Sequence, residues 1–149
     1  MSDMLEDIKN KFSIVVHGAT VKRWEETAKT KPPWDERNIL ISKFIPPGTS
    51  IIDIGSGAQT LREYLPTGCR YQPVDLVHSS EDVIFANFNK GKIPQIDKTF
   101  DIAICSGILE YILDPKFFIT TIKNWASTVF LSYAILELNP VMKKRKENG

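Results

Sequence analysis

The sequence predicts an α/β domain built on a doubly wound, mostly parallel sheet of about five strands. Three observations carry this. Short runs such as Ser50–Ile54 and Phe100–Cys105 are apolar with little alternation, as in strands buried on both faces. Stretches with helical spacing separate these runs, and right-handed crossovers between them give a parallel sheet covered on both sides. The first run ends in a bend, Asp53-Ile54-Gly55-Ser56-Gly57, that leads into the next helical stretch.

Each element has its own signal. Residues 1–33 read as a polar arm with a short apolar patch at Phe12–Val16. Pro32 and Pro33 set up a helix near Trp34, because proline suits a first helical turn. Its apolar face is expected along Ile39, Leu40, Lys43 and Phe44, and Pro46-Pro47-Gly48 end it. Ser50–Ile54 is the first strand. Leu61–Leu65 is a short helix closed by Pro66 and Gly68. Tyr71–Leu76 and Asp82–Ala86 are the second and third strands. Only Val77–Glu81 lie between them, too few for a crossover helix, so a bare loop is expected there. Phe100–Cys105 is the fourth strand. Helical spacing follows in Ile108, Leu109 and Ile112, then in Phe117, Phe118, Ile122 and Trp125, with Asp114-Pro115 starting a second helix. Ser127–Tyr133 is the fifth strand. The folded domain is expected over residues 34–138, with 139–149 a polar tail.

Composition narrows the function. With 149 residues, 42% hydrophobic and 25% charged, the chain fits one domain with one core. A formal net charge of +1 gives no field that would draw nucleic acid or an acidic membrane. The basic run Lys143, Lys144, Arg145, Lys146 reads as a solvated end. The acidic N-terminus lacks the apolar stretch of a signal peptide, and no window reaches membrane-spanning length, so a cytoplasmic protein is expected. Cys69 and Cys105 lack neighbours at metal-ligand spacing; Cys105 reads as a buried reduced thiol, and no metal is expected.

The bend after the first strand carries the chemistry. Glycines let the backbone approach a ligand and adopt positive φ, and the helix that follows presents free N–H groups. Ligands of open α/β sheets bind at the carboxyl ends of strands. Asp75 ends the next strand, roughly twenty residues on, where a carboxylate can bond ribose hydroxyls. Each residue also has a plainer reading. The glycines can serve a tight turn without a ligand, Asp53 can cap loop amides, and Asp75 can be an exposed strand-end carboxylate.

Asp53-x-Gly55-x-Gly57 after a strand resembles motif I of class I S-adenosylmethionine-dependent methyltransferases, which share a Rossmann-like fold. The resemblance runs from about Trp34 to Tyr133. It implies that S-adenosylmethionine lies on Asp53, Gly55, Ser56 and Gly57, with Asp75 and Leu76 at its ribose. It also implies that Asn87 and Phe88 flank adenine and that Ser106 ends the fourth strand beside the ligand. Gly107-Ile108-Leu109-Glu110-Tyr111-Ile112 looks like the segment lining the reaction pocket. Glu110 and Tyr111 are therefore the candidates for acid–base work, with no catalytic residue assigned. His78 falls on the ribose side and His17 in the arm. Trp34 and Arg37 are candidates to cover the ligand; the plainer reading is helix packing for Trp34 and a surface charge for Arg37.

The chain departs from the family at three points. Gln59 stands at the third glycine, Asn87 stands where Asp is usual, and the sequence stops after the fifth strand, where the family adds two more. A truncated member is expected. A dinucleotide site is the competing cofactor reading. It would place Thr60 at its third glycine and a pyrophosphate near Asp53, which like charges disfavour, whereas a sulfonium and an ammonium suit an acidic cleft. The fourth strand is followed by Cys105-Ser106-Gly107-Ile108 and not by an Asn-Pro-Pro-Tyr amino-methylation motif. The expected function is methyl transfer to a small-molecule acceptor, with no nucleic-acid or membrane partner. The alternative is a non-catalytic methyltransferase-like binding module. A sheet edge left open could pair with a second copy of the chain.

Overall fold

The computed structural model describes residues 35–97 and 99–133, together with Glu25. Apart from Glu25, the N-terminal arm lies outside the described residues, as do Trp34, His17, the tail and any strand beyond Tyr133.

Helix α1 spans Asp35–Ser42 and strand β1 spans Ser50–Ile54. A 3-10 helix over Thr60–Tyr64 precedes β2, Arg70–Asp75, and β3, Ile84–Phe85. Strand β4 is Phe100–Ser106, helix α2 is Pro115–Lys123 and β5 is Ala126–Ser132. The five strands pair in parallel in the order β3-β2-β1-β4-β5, the doubly wound arrangement, with β1 at the centre. The switch between β1 and β4 therefore lies beside the glycine bend.

The central strands read as apolar because both their faces are covered. All five residues of β1 are buried. On one face Ile52, Ile54, Val74, Ala103 and Cys105 pack against Phe118 and Ile122 of α2. On the other, Ile51, Ile102 and Ile104 pack with Ile45 and Leu61. Phe118 is fully buried, a contribution of about 1.5–3 kcal/mol. Ser50 fixes the β1–β4 register: its N–H and Oγ–H donate to Oδ2 of Asp101 at 2.7 and 2.6 Å.

Helix α2 begins as the sequence predicts. Asp114 caps it, Oδ1 accepting from the Phe117 N–H at 2.9 Å, and Pro115 occupies the first turn. The stretch before it is shorter than expected, one 3-10 turn over Leu109–Tyr111, because the chain is extended at Ile112 and non-helical at Asp114 ahead of Pro115. No helix bridges β2 and β3; Leu76–Val83 is a loop, as the spacing required. β3 is only two residues, because Asp82 serves the loop: its carbonyl accepts from Gln72 Nε2 at 2.8 Å and its carboxylate pairs with Arg62 at 2.7 Å.

The apolar face expected for α1 is wrong. Ile39, Leu40 and Phe44 are exposed, and the inward side carries Asn38, Ile41 and Ile45. A buried hydrogen bond decides the orientation: Asn38 Nδ2 donates to Thr60 Oγ1 at 2.7 Å, which outweighs a face drawn from hydrophobic spacing.

Candidate cofactor site

The bend after β1 is shaped by two glycines in the left-handed region. Gly55 has φ +77° and Gly57 φ +52°. The side chain of Ile108 closes over Gly55, its Cδ1 3.0 Å from where a Cβ would stand. Gly57 faces open space, with no atom within 4 Å of such a Cβ. A ligand approaching this bend therefore has room at Gly57 and a wall at Ile108. Gln59, at the third glycine position, is also left-handed, with φ 58°. The conformation a glycine would supply is kept, and the side chain reaches outward, Nε2 donating to Ser80 Oγ at 2.5 Å. Thr60, one residue on, is buried as the acceptor of Asn38.

Two carboxyl groups stand at the strand tips. Asp75 accepts from the Gly57 N–H through Oδ2 at 2.8 Å and from the Val77 N–H through Oδ1 at 2.9 Å. Burial raises its pKa, and hydrogen bonds from the Gly57, Val77 and Leu76 amides oppose that. A carboxylate has about four lone-pair directions, so it retains acceptor capacity for a sugar hydroxyl. Asp53 is buried on β1 and accepts from the Tyr71 hydroxyl at 2.5 Å. Burial pushes its pKa up to about 7; the Tyr71 hydrogen bond opposes this, Asp75 adds to it and the Arg37 charge opposes it.

Arg37 comes into this site and is no free surface charge. It is half-buried, with Nη1 2.8 Å from where a Cβ on Gly107 would stand, and it feels the charges of Glu110 and Asp53 and the Tyr111 hydroxyl. Glu110 is exposed and Tyr111 half-buried on the 3-10 turn after β4. Asn89 ties that turn to the segment after β3, donating to the Tyr111 carbonyl at 2.8 Å and accepting from the Leu113 N–H at 2.9 Å. Two hydroxyls beside the bend, Ser56 Oγ and Ser106 Oγ, are buried without a hydrogen-bond partner among the described residues. Such groups cost free energy unless something bonds them, so they mark a place where a polar ligand fits.

The structure brings Asp53, Gly55, Ser56, Gly57, Asp75, Leu76 and Ser106 to the carboxyl ends of β1, β2 and β4. Asn87 lies just after β3, half-buried, but its Oδ1 caps the next turn by accepting from the Lys90 N–H at 3.1 Å. The Phe88 ring packs into the core, 4.7 Å from Phe118 and 5.9 Å from Trp125 between ring centres, so the side chain points away from the bend's open side and only its backbone borders the segment after β3. An aromatic next to a buried cluster gains more from that cluster than from an open cleft. His78 stacks on Phe85 at 5.7 Å. Cys69 and Cys105 are both free thiols. An open groove of about 470 Å³, lined by Ala58, Gln59, Arg62, Glu63, Ser79 and Ser80, flanks the bend but includes neither carboxylate of the strand tips. No helix among the described residues is long and apolar enough to cross a membrane.

No protein-family model matches the sequence, and no curated protein matches it. Solved structures do match the fold. A SAM-dependent methyltransferase from Aquifex aeolicus is 18% identical, with a TM-score of 0.51, over 69% of this chain and 66% of that one. The plantazolicin methyltransferase BamL, solved with a triazolic desmethylPZN analog and SAH, is 17% identical, with a TM-score of 0.50, over 76% of this chain and 50% of that one. The chain thus spans less than two thirds of either protein. Strand order, parallel register and the glycine bend at the switch point agree with these likenesses: the chain has the fold of S-adenosylmethionine-dependent methyltransferases.

Proposed function

We propose that this chain binds S-adenosylmethionine at the bend and belongs to an enzyme that methylates a small molecule. The observation that carries the reading is the pairing of an open Gly57 with one buried and one half-buried carboxyl group and two unbonded hydroxyls at the tips of adjacent strands. A cleft with that charge suits a ligand bearing a sulfonium and an ammonium. In this reading Asp75 and Leu76 hold the ribose, Asn87 borders the base, and Asp53 faces the ammonium. Arg37 answers the ligand's carboxylate, and Ser56 and Ser106 supply further polar contacts. When bound, S-adenosylmethionine supplies an electrophilic methyl group. The residues of this chain orient the ligand and exclude water, and positioning of this kind accounts for much of the rate of such displacements. Glu110 and Tyr111 stand on the acceptor side, where a proton would have to leave an acceptor hydroxyl or amine.

Calorimetric titration with S-adenosylmethionine and S-adenosylhomocysteine tests the binding step. Both should bind and raise the melting temperature, since a ligand that prefers the folded state stabilises it. Asp75→Ala should weaken binding by roughly 1–3 kcal/mol through loss of charged hydrogen bonds. No binding at millimolar ligand would remove the methyl-donor reading. An unchanged dissociation constant in Asp75→Ala would remove the ribose assignment. Binding without product across a panel of small acceptors would favour the non-catalytic module.

A further inference from the structure

We infer that Tyr71 is a positioning residue of this site: its hydroxyl, donated to Oδ2 of Asp53, favours the ionised carboxylate and orients it toward the ligand's ammonium group. The inference rests on the reading of the bend as a methyl-donor site and deepens it.

Tyr71 belongs to no glycine motif. It lies on β2 opposite Ile51 of β1, on the sheet face that carries Ile102, Ile104 and Leu61. A phenylalanine would fill that space as well. A buried hydroxyl there costs free energy unless it is bonded, and its bond goes to Asp53 at 2.5 Å. The Arg62 guanidinium lies over the Tyr71 ring, 5.0 Å from its centre, and Arg62 Nη2 bonds Asp82 Oδ2 at 2.7 Å. A column thus runs from the loop between β2 and β3 to the foot of the bend.

The hydroxyl matters because of what else surrounds Asp53. Arg37 acts on it from α1 and Asp75 and Tyr71 from β2, while Cys105 of β4, on the opposite face of the sheet, feels its charge. Burial is what chiefly favours the protonated form of Asp53, and the half-buried Asp75 carboxyl adds to that. A protonated Asp53 is a neutral acid and offers an ammonium no counter-charge. A donor hydrogen bond to the ionised form works against that protonation, and Tyr71 provides it. Arg37 helps through its charge, but as a long-stemmed cation it does not fix the direction of the carboxylate.

The test compares the full-length wild type with Tyr71→Phe from about pH 5 to about pH 9. Carbon-13 NMR follows the Asp53 carboxyl in the ligand-free protein. Calorimetry follows S-adenosylhomocysteine and methylthioadenosine, which shares the nucleoside but lacks the amino-acid end. In the wild type, S-adenosylhomocysteine should weaken as pH falls through the Asp53 midpoint near 7, about tenfold per pH unit, and methylthioadenosine should not. Tyr71→Phe should raise the Asp53 midpoint by about one pH unit and weaken S-adenosylhomocysteine up to about tenfold at neutral pH, sparing methylthioadenosine. Replacing Tyr71 by fluorotyrosine, whose hydroxyl donates more strongly, should move the midpoint down and serves if the phenylalanine variant fails to fold. An Asp53 midpoint that neither variant moves, or equal losses for both ligands, would overturn the role of Tyr71 while leaving the methyl-donor reading intact. Failure of both ligands to bind the wild type would overturn the methyl-donor reading itself and this role with it.

Discussion

Asp53→Asn should make the ligand-free protein more stable at neutral pH while weakening its binding. Asparagine keeps an oxygen for the Tyr71 hydroxyl and removes a charge that burial disfavours. The carboxyl moves from an ordinary 3.8 to about 7 on folding. At roughly 1.4 kcal/mol per pH unit, ionising it in the folded state costs about 4 kcal/mol at pH 7. The sign follows from proton counts. Between about pH 4 and pH 7 the folded state holds a proton that the unfolded state has lost, so stability falls as pH rises through that window. Below it both states are protonated and the cost is absent; above it the cost is constant. The new amide hydrogens need partners in a buried place and take back part of the gain, roughly 1–3 kcal/mol, leaving about 1–3 kcal/mol. Urea unfolding near pH 7 and near pH 4 measures this directly. The variant should gain at the higher pH and little at the lower. A variant no more stable at neutral pH, or one whose gain is equal at both pH values, would refute the argument from burial.

Gly55→Ala should destabilise the fold by roughly 2 kcal/mol, because it combines a left-handed residue with a contact to Ile108 Cβ at 3.1 Å that a rotamer change cannot relieve. Thermal denaturation reads this, and full stability of the single variant would count against the contact. Asp114→Ala should cost about 1 kcal/mol through loss of the cap on α2, read from the denaturation midpoint; a change below a few tenths would show the cap to be dispensable.

The parts of the fold that were legible in the sequence are those set by local chemistry. β1 could be read because every one of its residues is buried, so composition alone marks it. The start of α2 could be read from Asp114-Pro115, and the bare loop before β3 from its length. The face of α1 could not. A buried Asn38 bonded to Thr60 is invisible to hydrophobic periodicity, and it turned Leu40 outward. At the site, Asp53, Gly55, Gly57 and Asp75 were legible because backbone bends and strand ends leave sequence marks. Tyr71 was not, and Arg37 was only a candidate to cover the ligand, with a surface charge as its plainer reading. Arg37 enters the site by folding over Gly107, and Tyr71 meets Asp53 only through the parallel register that sets Ile51 opposite Tyr71. The core packing of the Phe88 ring was not legible, because a motif position says nothing about which neighbours an aromatic ring will find.

The hydrogen bond between Asn38 and Thr60 has a mechanical consequence. It fastens the helix that bears Arg37 to Thr60, just beyond the glycine bend, and so ties the rim of the cleft to its floor. An arriving molecule then meets a wall set in advance and loses little free energy to ordering it. Capture should be governed by diffusion and charge, and cutting this strut should slow association more than it speeds escape.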